Sequence, residues 1–148
     1  MGKRLRHLIE PGAPLHCVHP ESTVQEAVEQ MARHNVGAVL VLDAHNRLVG
    51  IFTERDLLKR VVAPGKDPRA TRVREVMTEQ VVVAQADEDV DSVVRKMHQL
   101  NCRHIPVVEE GKLVGMISIR NLMWHDLAEK DFVLRQMEEY LYYPPKLS

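Results

Sequence analysis

The sequence has few aromatic residues, few cysteines and almost no net charge, and each shortage excludes a class of function. Aromatic side chains make up 4% of the 148 residues, so few rings are present to stack on the bases of a nucleic acid. The two cysteines, Cys17 and Cys102, are far apart and form no CxxC pair, which argues against a disulfide framework or a zinc ribbon. A formal net charge of -1 argues against polyanion binding. We expect a soluble cytoplasmic protein that does not bind nucleic acid.

Long hydrophobic runs are also missing. The longest aliphatic stretch, VGAVLVL at residues 36–42, is far too short to cross a bilayer. The basic start of the chain, MGKRLRHLIEPG, is followed by no apolar block, and Arg6 stands where a myristoylation pattern has Ser or Thr. We therefore expect neither a leader peptide nor a membrane association.

A tandem repeat organises the chain. The segment that starts at Val18 can be laid over the segment that starts at Val83, with a loop one residue shorter in the second copy. The matched residues are Val24 with Val90, Met31 with Met97, Asn35 with Asn101, Leu48-Val49-Gly50 with Leu113-Val114-Gly115, Thr53 with Ser118, Arg55 with Arg120 and Asp56 with Asn121. Agreement at so many positions indicates two copies of one structural unit.

The pattern of each copy predicts a hairpin with one helix before it and one helix after it. Apolar residues recur at helical spacing over residues 23–34, and Ser22 with Gln25 has the spacing of a capping box. The equivalent helix of the second copy is expected to start near Glu88. A further helix is expected from Glu54, directly after the hairpin of the first copy.

Short aliphatic runs predict the hairpin strands. In the first copy they cover residues 38–42 and 48–52, and in the second copy residues 105–108 and 113–117. The turn of the second hairpin is expected at Glu110-Gly111. One such unit has too small a core to be secure alone, so the two units should pack together.

Composition divides the chain into five segments. The predicted divisions are an N-terminal lead-in at residues 1–17, a first domain at 18–62, a linker at 63–75 that is rich in Pro, Gly and charge, a second domain at 76–125, and a C-terminal helix and tail at 126–148. The basic residues around this linker are interpreted as a solvated surface.

The stretch GIFTERD, residues 50–56, carries the strongest functional pattern. Where a strand ends and a helix begins, unpaired backbone N–H groups offer a place for a polar ligand. Thr53 and Asp56 lie one helical turn apart, and a carboxylate suits the two hydroxyls of a vicinal diol. Gly50 would let a ligand or a neighbouring chain approach the backbone. The alternative is that Thr53 caps the helix and Asp56 complements its dipole.

Two copies of an αββα-like unit, each with a G-h-h-[T/S]-x-x-[D/N] junction (h is hydrophobic), resemble a tandem pair of cystathionine β-synthase (CBS) domains, known as a Bateman module. The resemblance covers about residues 18–60 and 83–124, and residues 40–43, residues 105–109 and the lead-in VREVMTEQVVV also match. It implies an α/β (α+β) fold of two pseudo-symmetric units, each a small sheet with two helices, plus a C-terminal helix.

The resemblance also implies a function. CBS pairs bind adenosine-containing ligands such as AMP, ADP, ATP, S-adenosylmethionine and sometimes NAD(H) in the cleft between the units, and relay occupancy to a partner, as in energy sensing. On this basis we expect a stand-alone regulatory protein with no catalytic residue, no required cofactor and no metal. Its regulatory ligand would be an adenosine nucleotide, and its target is an unknown protein.

Site residues follow from the same resemblance. Thr53 and Asp56 match the positions that hold the ribose, and Arg103 and His104 match positions that meet the phosphates. These four residues form the expected primary site.

The second cleft is expected to be weaker or empty. Ser118 is followed there by Asn121 in place of an aspartate, and an amide accepts from the diol without charge assistance. Gly37 and Ala38 occupy the positions of the two basic residues, so this cleft is predicted to lack both the carboxylate and the cations.

Two other functions compete with the nucleotide sensor. Leu127, Leu134 and Leu141 recur every seven residues in an amphipathic helix predicted over residues 126–143. Its apolar face either covers the module's own core or joins two copies into a homodimer, and we expect the homodimer. A dimer that acts through this helix would make the protein a ligand-independent dimeric adaptor. The third hypothesis is metal-dependent catalysis by His16-Cys17-x-His19 and Cys102-x-His104, whose spacing matches no zinc pattern.

Overall fold

The computed structural model describes residues 2–123, which form two similar halves. A 3₁₀ turn (Leu5–Leu8) precedes the first half, which contains strand β1 (Cys17–Val18), helix α1 (Val24–His34), strands β2 (Ala38–Leu42) and β3 (Leu48–Thr53), and helix α2 (Glu54–Asp56), which continues as a π-helix (Leu57–Val62). Helix α3 (Val73–Val76) precedes the second half, which contains strand β4 (Ala84–Gln85), helix α4 (Val90–Leu100), strands β5 (His104–Glu109) and β6 (Lys112–Ser118), and helical residues 119–123. The helix predicted over residues 126–143 lies outside the described residues.

Each half has a three-stranded sheet of the same topology. A short first strand pairs in parallel with the first hairpin strand, which pairs antiparallel with the second, giving the orders β1-β2-β3 and β4-β5-β6. The register shifts at equivalent places, between Val41 and Leu42 and between Val107 and Val108. Both hairpins and the α+β class are therefore confirmed, as is the turn at Glu110-Gly111, where both residues have positive φ.

The capping box predicted at the start of α1 is wrong by one residue. Thr23, not Ser22, is the N-cap: its hydroxyl accepts from the Glu26 N–H, and the Glu26 carboxylate accepts from the Thr23 N–H, both at 3.1 Å. Ser22 instead accepts from the N–H of His19. Because Thr23 is still extended, with ψ 156°, the helix begins after it.

The start of α4 also differs from the prediction. The helix begins at Val90, whereas it was expected near Glu88. The Glu88 carboxylate accepts from the Gln85 N–H at 2.6 Å and pairs with Lys96 at 3.0 Å. Glu88 thus ties β4 to α4 from outside the helix. Both long helices end alike, at the left-handed Asn35 (φ 53°) and Asn101 (φ 52°).

The helix after Asp56 widens into a π-helix, a feature that the sequence pattern does not reveal. The N–H of Ala63 donates to Leu58, and that of Lys66 donates to Val61, each five residues back. The wider turn keeps Val61 fully buried while Leu58 and Val62 are 61% and 60% exposed. Two large aliphatic side chains are therefore presented outward.

The segment that precedes each half, its lead-in, packs into the core of the other half, so the two halves exchange their lead-ins. Leu5, which precedes the first half, is fully buried in the core of the second, and the N–H groups of Leu5 and Arg6 donate to Glu88 and Ala86. The helix α3, which precedes the second half, buries its valines in the core of the first. Neither core is therefore complete without a segment from the other end of the module.

Glycine permits this exchange at Gly50 on β3. A Cβ on this residue would lie 2.6 Å from the Sδ of Met77, a distance that side chains do not tolerate. Next to it, Ile51 and Thr78 exchange backbone hydrogen bonds of 3.0 and 2.9 Å. Gly115 plays the same part on β6, where Ile9 passes over the sheet. The close approach expected at Gly50 is thus made by a neighbouring chain segment.

Alternate residues of the first hairpin serve two cores. Val39, Val41 and Phe52 face the helices of their own half. Ala38, Leu40 and Ile51 point to the opposite face and pack with apolar residues of the second half, including Leu113 and Met116. Because both faces of β2 are covered, this strand is aliphatic throughout. The predicted packing of the two units against each other is confirmed.

Because the N-terminal lead-in completes the core of the second half, a substitution in this lead-in should strongly reduce the stability of the protein. We expect Leu5→Ala to lower the free energy of unfolding by about 2–5 kcal/mol, since it opens a cavity in the second half. Leu58→Ala, at a 61% exposed position, should cost less than about 1 kcal/mol. Urea unfolding of both variants measures this difference, and equal midpoints would contradict the exchange.

Candidate functional site

Thr53 and Asp56 form a reciprocal cap where β3 becomes α2. The Thr53 hydroxyl accepts from the Asp56 N–H at 3.2 Å, and Asp56 Oδ2 accepts from the Thr53 N–H at 3.0 Å. The two side chains also contact each other at 3.2 Å. The capping interpretation of this pair is therefore confirmed. The cap holds the Asp56 carboxylate at a fixed position beside the start of α2.

Asp56 has further partners that sequence reasoning missed. The Thr78 hydroxyl lies 3.0 Å from Oδ1 and 3.3 Å from Oδ2 of Asp56, and Arg60 Nε lies 3.7 Å from Oδ1. Asp56 is 5% exposed. The lead-in VREVMT, already recognised as part of the pattern, was the only signal for Thr78. The exchanged lead-in thus supplies a hydroxyl that orients this carboxylate.

All four residues of the expected primary site line one cleft. This primary cleft has a volume of about 920 Å³, and its wall includes Thr53, Asp56, Arg103 and His104. Exposed aliphatic side chains also line it, among them Leu58, Val62, Val82 and Leu100. The cleft therefore combines a carboxylate, a guanidinium and an apolar wall, while the ligand role of each residue stays a prediction.

Ser118 and Asn121 repeat the cap at the second cleft, which has a volume of about 940 Å³. Asn121 Oδ1 accepts from the Ser118 hydroxyl at 2.7 Å and from its N–H at 3.2 Å. The Ser118 hydroxyl in turn accepts from the Asn121 N–H at 3.1 Å. An asparagine thus makes the same cap as an aspartate, without the charge.

The second cleft has Asn121 where the first has the Asp56 carboxylate, as predicted, but the prediction that it lacks cations is wrong, and carboxylates lie elsewhere in its wall. Arg103, Arg120 and Glu10 all line it. The comparison of repeats missed this because β5 pairs His104 with Ser118, so the start of β5 adjoins the second cleft as well as the first. A residue assigned by the repeat to one cleft therefore serves both.

Four residues separate the two clefts and line both of them. This septum consists of Gly37, Glu54, Arg103 and His104. Two equivalent backbone hydrogen bonds hold it: Glu54 N–H donates to Gly37 at 3.0 Å, and Ile119 N–H donates to Arg103 at 2.8 Å. The septum is therefore built from both halves.

The pKa of His104 is lowered, which favours its uncharged form at neutral pH. Burial lowers the pKa of its imidazole below the ordinary 6.5, Arg103 lowers it further, and Glu54 opposes both effects. A neutral imidazole donates one hydrogen bond and accepts one, but it adds no positive charge. Arg103 is thus the permanent cation of the septum, and the phosphate contact expected of His104 stays a prediction.

The histidines near the start of the chain stack and do not converge on an ion. The rings of His16 and His34 lie 4.1 Å apart with an interplanar angle of 23°, and burial together with His34 lowers the pKa of His16. Within residues 2–123, no three His, Cys, Asp or Glu side chains are placed to hold a metal. Burial raises the pKa of both thiols, Cys17 and Cys102.

Comparison with known proteins identifies the family. The model of the CBS domain matches residues 6–63 and again residues 73–127. The chain belongs to the CBS domain family. A 17.7 kDa protein of Acidianus ambivalens is 38% identical over 109 residues, which are 73% of this CBS pair and 65% of that protein. The CBS pair spans 54% to 65% of the length of three curated relatives.

Solved structures share the fold of this CBS pair. A protein with CBS domains from Burkholderia ambifaria MC40-6 has a TM-score of 0.82 and 32% identity, over 86% of this chain and 96% of that one. The CBS pair of protein MJ0100, solved with 5′-methylthioadenosine and S-adenosyl-L-methionine, has a TM-score of 0.77 and 27% identity, over 88% and 100%. Among residues 2–123, no helix has the length and apolarity needed to cross a membrane.

The lowered pKa of His104 predicts a loss of stability in acid. As the pH falls below about 6.5, the unfolded chain binds a proton at this position before the folded CBS pair does. Stability should therefore be full above that pH and decline toward the lower folded pKa. We expect the melting temperature of His104→Gln to fall less than that of the wild type between about pH 7.5 and 5.5. Equal declines, or an NMR titration midpoint of His104 above 6.5, would contradict this account.

Proposed function

We propose that this CBS pair is a non-catalytic regulatory module that binds an adenosine-containing ligand in the primary cleft. One observation carries the proposal: the cleft holds the Thr53–Asp56 pair, the Arg103 guanidinium and an exposed aliphatic wall within one volume of about 920 Å³. These groups suit a ribose, a phosphate or other polar substituent, and a purine base. The bound nucleosides of MJ0100 support the same ligand class.

The Asp56 carboxylate is prepared for a ribose hydroxyl at one of its two oxygens. Oδ2 already accepts from the backbone and side chain of Thr53. Oδ1 accepts from Thr78 at 3.0 Å and has only a long contact of 3.7 Å with Arg60. Because a carboxylate oxygen accepts two hydrogen bonds, Oδ1 retains capacity for a ligand hydroxyl, and Thr53 and Thr78 hold it in place.

The exposed aliphatic residues supply the complementary apolar contact. Leu58 and Val62 on the π-helix and Leu100 at the end of α4 are each more than half exposed and line the same cleft. Enclosing a purine against them removes apolar surface from water, which is favourable by about 25 cal/mol per Å². They belong to both halves, so a bound ligand would join the halves through its base.

Such binding would act through the geometry of the module. The regulatory ligand would shift the balance between two arrangements of the halves by its difference in affinity for them. The output would pass to an unidentified partner protein or through pairing of two copies, and no catalytic step is required of the module. The second cleft would bind the ligand more weakly, since the Asn121 amide replaces the carboxylate there.

The experiment compares two substitutions, Asp56→Asn and Asn121→Asp, each of which introduces the residue that the other copy of the repeat has at that position. Since Asn121 makes the same cap as Asp56, Asp56→Asn should fold while it loses the charge. Thermal-shift assays use AMP, ADP, ATP, NAD, NADH and S-adenosylmethionine. A ligand at about one hundred times its Kd should stabilise the wild type by about 2.7 kcal/mol. We expect Asp56→Asn to weaken binding about tenfold or more, since it loses a charge-assisted hydrogen bond.

Asn121→Asp is the matched control. It should leave affinity at the primary cleft nearly unchanged, because the substitution lies at the other cleft. Unchanged affinity in Asp56→Asn, with its melting temperature retained, would overturn the assignment of the primary cleft. Absence of stabilisation by every ligand would overturn the proposed ligand class.

A further inference from the structure

Glu54 places an acidic side chain where both clefts meet. It is the septum's only carboxylate, beside the guanidinium of Arg103 and the neutral imidazole of His104. The two formal charges of the septum therefore cancel. The septum itself therefore presents no net positive charge to a ligand in either cleft, although Arg55 and Lys59 also line the primary cleft and Arg120 lines the second.

The position of Glu54 is fixed by a backbone hydrogen bond to Gly37 and by the absence of a side chain on Gly37. Its N–H donates to the Gly37 carbonyl at 3.0 Å, at the first position of α2. Its carboxylate occupies the space that a Cβ of Gly37 would take, and the His104 ring lies 3.2 Å from the same point. Any other residue at position 37 would displace this carboxylate. Glycine therefore lets Glu54 lie across the septum toward His104.

The repeat supplies this charge only once. The equivalent position in the second half is Ile119, whose N–H makes the matching hydrogen bond to Arg103. A carboxylate that only completed the helix start would be needed equally in both halves, and the second half does without it. Glu54 is also exposed, so neither burial nor a described ion pair accounts for it.

We propose that Glu54 determines the charge selectivity of the clefts. It repels ligands that carry negative charge toward the septum, so the module prefers nucleosides with an uncharged or cationic substituent over nucleoside polyphosphates. This inference rests on the proposed function, in which the polar substituent of the ligand points toward Arg103 and His104. Glu54 is exposed, so this repulsion acts over several ångströms and is weakened by salt.

The test replaces the carboxylate by its neutral isostere in Glu54→Gln and measures Kd by calorimetry for adenosine, AMP and ATP. We expect AMP to bind about threefold to tenfold more tightly to the variant and ATP to gain at least as much, while adenosine changes by less than about twofold. The gain should diminish at high salt. Glu29→Gln is the matched control: it removes the same charge from α1, and Glu29 lines neither cleft.

Each contrary result has a separate meaning. Equal changes for adenosine, AMP and ATP in Glu54→Gln, or the same gain in Glu29→Gln, would overturn the selectivity role and leave the proposed function standing. Failure of the wild type and both variants to bind any of the three, or S-adenosylmethionine, would overturn both. An NMR titration gives an independent readout: loss of Glu54 should lower the His104 midpoint further, since Glu54 is the group that raises this pKa.

Discussion

The structure depends on the exchange of lead-in segments between the two halves. The segment before each half completes the core of the other, with Leu5 in the second half and Val73 in the first. Because Gly50 admits Met77 against its backbone, the next residue, Thr78, reaches the Asp56 carboxylate. Packing that stabilises the fold and a contact that orients the candidate site are therefore consequences of one chain path.

The same exchange explains how two clefts come to share a wall. Each hairpin uses one face for its own helices and the other for the opposite half, so the starts of the two hairpins meet. Gly37 and Arg103 occupy equivalent places there, and the carbonyl of each accepts a hydrogen bond from the residue that follows its own hairpin, Glu54 or Ile119. A substitution in the septum therefore alters the surroundings of both clefts.

Periodicity and the repeat sufficed to predict the two long helices, the hairpins and the cap at Thr53 and Asp56, because these depend on local spacing. They failed where the outcome depends on tertiary contact. Ser22 and Thr23 are both good caps, and only the backbone of Thr23 decides between them. The π-helix after Asp56 has no sequence pattern of its own. Thr78 and Glu10 reach the clefts by the exchange of lead-ins, and alignment of the two copies treats each copy as if it were complete.

The two copies differ in the carboxylates that they contribute to the clefts, and the positions of these carboxylates matter more than their number. Asp56 has a charge that Asn121 lacks, and Glu54 has one that Ile119 lacks, so both extra carboxylates belong to the first half. Asp56 is held inward by Thr53 and Thr78, whereas Glu54 lies in the septum. One carboxylate can therefore accept from a ligand's hydroxyls while the other opposes its negative charge. Under the proposed function, the two together would favour a ligand rich in hydroxyls and poor in phosphate.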